Sequence, residues 1–142
     1  MSADGFLANS ETELLSTLLA ALRGDTEIVD LLGDPPRIFD GDAVSAIEPY
    51  IDVERFETTE SSVSGMRGFE HLLQFAVHSR HGGLVEAKAI LGALRQALEG
   101  LSLNLITQRV TLIIPTYCDV MRSKSAQTFR GVFRVRIHTE EI

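Results

Sequence analysis

The sequence predicts one α+β domain, an antiparallel sheet of about four strands with helices packed on one face. Three observations predict it. From Phe69 to Arg80 polar and apolar residues alternate, and after a break at His81-Gly82-Gly83 the period lengthens to near 3.6 from Leu84 to Glu99. Phe129 to His138 alternates as cleanly, with Phe129, Gly131, Phe133, Val135 and Ile137 on one side. Finally, 142 residues that are 44% hydrophobic are one domain's worth of chain, 1–142, with enough apolar surface for a core.

Taken in order, residues 1–9 read as a flexible arm. Ser10 and Glu13 have the spacing of a capping box, followed by Leu14, Leu15, Leu18, Leu19 and Leu22 on a helical stripe that Gly24 ends. Asp25 or Thr26 caps a second, shorter helix, which Gly33 and Pro35-Pro36 stop. Arg37 to Asp40 has room for a brief strand, and loop follows to Glu48. Pro49 opens the next strand, with Ile51 and Val53 on the dry face and Tyr50, Asp52 and Glu54 on the other. Thr58 to Gly68 is polar and aperiodic, the expected mobile loop; Ser61, Ser62, Met66 and Arg67 lie in it. In the central strand His71, Leu73, Phe75 and Val77 face the core. The helix after it buries Ala87, Ile90, Leu91, Leu94, Ala97 and Leu98, and Gly100 stands at its C-terminus. Arg109 to Val120 is a strand interrupted by Pro115, which predicts an edge position or a bulge. A polar hairpin loop, Ser123 and Lys124 through Gln127, leads to the last strand.

Composition excludes several classes. Thirteen basic residues against twenty acidic ones leave a net charge of −7, so attraction to phosphate or to anionic lipid is not built in. With no tryptophan and 6% aromatic residues, a base-stacking platform is also excluded. No apolar run approaches the roughly 20 residues of a membrane span, and no signal peptide is recognisable, so synthesis in the cytoplasm is expected. The single cysteine, Cys118, excludes an internal disulfide and reads as a core thiol.

Catalytic, cofactor and metal candidates fail early. His78 and His81 are three apart, and on a strand such residues point to opposite faces. His138 belongs to a polar tail with Glu140 and Glu141, and no phosphate loop, nucleophile elbow or metalloprotease helix is present. The expectation is a protein that is not an enzyme and carries no cofactor or metal. What remains is charge: Arg130, Arg134 and Arg136 share one side of a strand, and Tyr50, Asp52 and Glu54 share one side of another. These strands, if adjacent, form exposed ion pairs worth a few tenths of a kcal/mol each. If they meet across subunits, they set partner choice and register.

The order of short motifs is itself informative: L-L-G-D-P-P-R-I-F-D-G, then E-P-Y-I-D-V-E, a strand ending S-R-H-G-G, a helix opening E-A-K-A-I, and a final R-G-V-F-R-V-R-I. From about Leu14 to Ile137 this resembles the tail-completion family, the tail terminators of long-tailed bacteriophages and phage-derived particles such as gene transfer agents and prophages. Gly33, Arg37, Ile38 and Phe39 match an early segment of the family, Pro49, Tyr50 and Ile51 a strand start, and Glu86, Ala87 and Lys88 a helix opening; the acidic loop at Thr58 to Gly68 departs from it.

The resemblance implies a structural virion protein, located in the particle's tail. It implies a homo-oligomeric ring, usually a hexamer, that ends tube polymerisation at the head-proximal end and joins the tail to the head. Its implied partners are further copies of itself, the major tail tube protein and a head-tail connector or stopper, with DNA only as passing cargo and no membrane. The competing expectation is a small cytoplasmic ligand-binding or regulatory module on the same fold.

Overall fold

The structure, a computed structural model, describes residues 3–41, 47–80, 84–122 and 128–142, with side chains from Asn9 onward. Eight elements follow in chain order: helices α1 (Ala3–Arg23) and α2 (Thr26–Leu32), strands β1 (Ile38–Phe39), β2 (Tyr50–Glu60) and β3 (Gly68–His78), helix α3 (Leu84–Leu98), and strands β4 (Gln108–Arg122) and β5 (Phe129–Glu141). The sheet order is β1-β2-β3-β5-β4. β1 runs parallel to β2 and every other neighbouring pair is antiparallel. The expectation of about four antiparallel strands is therefore corrected to a five-stranded mixed sheet, because Arg37 to Asp40 does form the brief strand its sequence allows.

One face of the sheet is dry. Ile51 and Val53 of β2, Leu73, Phe75 and Val77 of β3, and Phe133, Val135 and Ile137 of β5 join Leu14, Leu18 and Leu22 of α1, Ile28 and Leu32 of α2, and Ile90, Leu91, Leu94 and Leu98 of α3 in one core. Eight of these seventeen side chains come from strands and nine from helices, and all are apolar. Their burial, at roughly 1.5–3 kcal/mol per large side chain, is what holds three helices to one sheet face. Gly131 keeps α3 close: a Cβ there would stand 3.1 Å from Leu91 Cδ1 and 3.3 Å from Val77 Cβ.

The ends of the elements differ from expectation in two places. α1 is already helical at Ala3, so residues 3–9 of the expected arm are helix, and Ser10 lies buried inside it. Glu13 accordingly caps nothing on α1. Its carboxylate accepts from the backbone N–H of Ile106 at 2.7 Å and from Thr107 Oγ1 at 2.9 Å, tying α1 to the connector before β4. Second, the aperiodic segment Thr58 to Gly68 is strand at both ends, with an ordered hairpin turn between them. β2 continues to Glu60, and the chain reverses over Ser64 and Gly65, both at positive φ (55° and 77°), as a two-residue hairpin turn of matching twist demands. Val63 and Met66 exchange backbone hydrogen bonds across it at 3.1 and 2.9 Å. A bulge at Glu54 shifts the alternation of β2 by one residue, so Phe56 and Thr58 turn inward.

At the far end of β3, Glu86 in the first turn of α3 accepts from Ser79 Oγ at 2.9 Å, the Arg80 backbone N–H at 2.8 Å and Arg80 Nε at 2.9 Å. This carboxylate fixes where the helix starts on the sheet. The His81-Gly82-Gly83 break and the hairpin loop with Ser123 and Lys124 lie outside the described residues.

Candidate assembly surface

The face of the sheet without helices carries Asp52, Glu54, Arg130, Arg134 and Arg136. Register places them in rows running from β2 through β3 and β5 to β4: Tyr50, His78, Arg130, Met121; Asp52, Ala76, Val132, Asp119; Arg55, Gln74, Arg134, Tyr117; Glu57, Leu72, Arg136, Ile114. The acidic strand β2 and the arginine strand β5 are not neighbours; β3 separates them. Adjacency in the chain gave no signal for this, since β5 enters the sheet between β3 and β4.

Long side chains bridge the gap. Arg130 reaches over β3 to form an ion pair with Glu54. Gln74 of β3 donates to Glu54 Oε1 at 2.8 Å and accepts from Arg134 Nε at 2.8 Å. Arg134 also lies over the Tyr117 ring, 4.8 Å from its centroid. Arg136 pairs with Glu70 at 3.2 Å, and Arg109 with Glu140 at 3.2 Å. Tyr50 stacks on His78 with ring centroids 4.5 Å apart, and Phe39 meets Tyr50 edge-on. Asp52 accepts from the Gly41 backbone N–H at 2.7 Å. The polar face is thus cross-linked within one chain, with Gln74, Glu70 and Tyr117 as members that charge alone did not point to. For Gln74 and Glu70 the signal was present in the alternation of β3, which sets both opposite the core face; the bulges of β4 hide it for Tyr117.

Electrostatics follow from these contacts. Burial pushes the Glu54 carboxyl up, but hydrogen bonds from Arg130 and Gln74 outweigh it and hold the group below the usual carboxylate range. Burial, then the Arg130 charge, lowers His78; burial, then Glu48 and Asp52, raises Tyr50. Glu54 is therefore ionised and His78 neutral near pH 7. Among the described residues no three metal-ligating groups cluster. Cys118 sits half-buried on the core side of β4. Among the described residues no helix is long and apolar enough to cross a membrane.

The hairpin holding Ser61, Ser62, Met66 and Arg67 stands at one end of this face. Its tip exposes Val63 and Met66, while Ser62 Oγ accepts from the Gly68 N–H at 3.3 Å and Arg67 pairs with Glu60 at 3.6 Å.

A family model described as Tail completion protein gp17 matches residues 16–140. The chain belongs to this tail-completion family. A solved chain from a structure titled "Virion of native gene transfer agent (GTA) particle" shares its fold, with a TM-score of 0.81 and 22% identity over 91% of this chain and 96% of the other. No curated protein matches it by sequence. Tail-completion membership places the chain in the tail of a phage-like particle and makes its role structural. The charged face and the hairpin are thus surfaces of a tail-completion protein.

Proposed function

We propose that this protein assembles as a ring, of six copies, on the head-proximal end of a phage-like tail tube, where it stops tube polymerisation and joins the tail to a head-side connector. The match to the tail-completion family over nearly the whole chain carries the reading. The surface chemistry supports it: a scaffold with a rigid, internally paired polar face is suited to docking, because its side chains lose little freedom on contact. In this reading Tyr50, Asp52, Glu54, Arg130, Arg134 and Arg136 form the face that meets partner subunits, tube protein or connector. Ser61, Ser62, Met66 and Arg67 reach out beside it as an assembly hairpin, with Ser123 and Lys124 as a second contact loop. DNA passes without being held, since an acidic protein releases few counterions from it.

The test is microscopy of the purified protein, alone and with tail tube protein. Rings, or caps at tube ends, are expected. A monomer under both conditions contradicts the reading. Arg134→Glu with Arg136→Glu should abolish end binding while the monomer stays folded; unchanged binding removes the arginine face from the interface.

A further inference from the structure

The sheet is open at both edges, and the two openings correspond. Among the described residues β4 has β5 on one side only. On the opposite edge β1 covers β2 at Ile51 and Asp52 alone, so among the described residues Arg55 to Glu60 has β3 on one side only. β4 also reads as a strand made to be covered. Its inward row, Val110, Ile113, Cys118 and Val120, packs half-buried on the core, yet its outward row is mostly apolar too: Leu112, Ile114, Tyr117 and Met121 are 36–44% exposed, with Asp119 the charged exception. A water-facing edge strand normally alternates apolar with polar or charged residues, whereas apolar residues on both faces mark a strand with neighbours.

Register shows which halves are free. Rows Glu57, Leu72, Arg136, Ile114 and Thr59, Glu70, His138, Leu112 put the open part of β2 level with the Gln108-to-Ile114 half of β4. In the other half β1 occupies one edge, while Pro115, which has no N–H, and the bulge at Thr116 interrupt the other. The bulge at Thr111 keeps its hydroxyl on β5, 2.6 Å from His138 Nδ1. β2 and β5 run one way and β3 and β4 the other. A second copy in the same orientation therefore brings its β2 antiparallel to β4, the sense a ladder requires.

The helix side repeats the correspondence. A cleft of about 170 Å³ with Leu15 and Phe56 flanks the β2 edge, and one of about 250 Å³ with Leu101, Val110 and Ile113 flanks the β4 edge. Charge agrees as well: Gln108 to Ile114 carries +1 from Arg109, and Arg55 to Glu60 carries −1, from Glu57 and Glu60 against Arg55.

We propose that Gln108–Ile114 of one copy pairs with Arg55–Glu60 of the next, closing the sheets of neighbouring copies into one and covering Leu112 and Ile114 at the seam. The inference rests on the ring reading and supplies its subunit contact. Such a contact is heterologous, the kind that closes rings.

Native mass spectrometry and amide hydrogen exchange on the full chain test it, comparing wild type with Leu112→Lys/Ile114→Lys and, as a milder pair, Leu112→Thr/Ile114→Thr. Both positions are partly exposed, so the circular dichroism spectra of the variants should match that of wild type. Wild type should give a ring, the Lys pair only the 15.6 kDa monomer, and the Thr pair a weakened ring. Exchange at 55–60 and 108–114 should be at least tenfold slower in wild type than in the Lys pair, with β3 unchanged. Rings that survive both variants, or that exchange freely at both segments, overturn the seam and leave the ring reading standing. A two-copy species protected only at 108–114 overturns the heterologous pairing, and protection that needs tail tube protein assigns the edge to that partner instead. Wild type that stays monomeric with and without tube protein fails the ring reading itself.

Discussion

His71 offers a quantitative test of the sheet as described. It is fully buried on the core face of β3, with Nδ1 2.9 Å from Thr58 Oγ1 and Nε2 2.9 Å from Thr139 Oγ1. Burial, then the nearby His138, lowers its pKa from 6.5 to about 4. The folded protein therefore refuses a proton that the unfolded chain accepts. As pH falls below 6.5 the unfolded state gains, by about 1.4 kcal/mol per pH unit, until the folded side chain titrates near 4. The total is about 3 kcal/mol, a large share of the stability of a small domain. His71→Gln keeps hydrogen-bonding groups toward both threonines but cannot titrate, so it should cost stability at pH 7 and lose about 3 kcal/mol less than wild type between pH 7 and pH 4. Urea unfolding of both proteins across that range measures the difference, in which the acid sensitivity of Glu13, Glu54 and Glu86 cancels. Parallel stability curves for the two proteins would refute a buried, neutral His71 and the pairing that puts it between β2 and β5.

Other substitutions test single joints. Glu86→Ala removes the acceptor for Ser79, the Arg80 N–H and the Arg80 side chain; a loss of about 1–2 kcal/mol is expected in urea unfolding, most of it from the buried Ser79 end because the Arg80 pair is exposed. Burial raises Glu86 while its hydrogen bonds lower it further, so its contribution is present above pH 4.5 and should fade as pH drops through its lowered pKa. Glu13→Ala should cost about 2 kcal/mol and speed amide exchange at Ile106 and Thr107 selectively, since both N–H groups lose their acceptor. Gly68→Ala would put a Cβ 2.8 Å from the Ser61 carbonyl oxygen and 3.2 Å from that of Thr139; a melting temperature lowered by several degrees is expected, and an unchanged one would contradict the close approach.

Periodicity made most of the fold legible. Phe69 to Arg80 and Phe129 to His138 alternate because each has one dry face, and Leu84 to Glu99 shows a stripe because α3 has one side on the sheet. The readings that failed did so where a residue's partner is remote in sequence. Ser10 and Glu13 have capping-box spacing, but Glu13 serves a connector more than ninety residues away. Thr58 to Gly68 reads as loop because edge-strand residues facing water are as polar as loop residues, and Ser64-Gly65 is a weaker turn signal than Asn-Gly. Of the charged face, the residues were legible and their arrangement was not. Nothing local to Arg130 or Glu54 says that β3 lies between them or that Gln74 links the two sides. Pro115 did announce the edge position of β4 correctly.

Tube length measures assembly most directly. Tail tube protein polymerised in the presence of this protein should give tubes capped at one end by a ring and shorter as the ratio of cap to tube protein rises. Tubes that grow to the same length with bare ends, while the added protein stays monomeric in solution, would contradict the account.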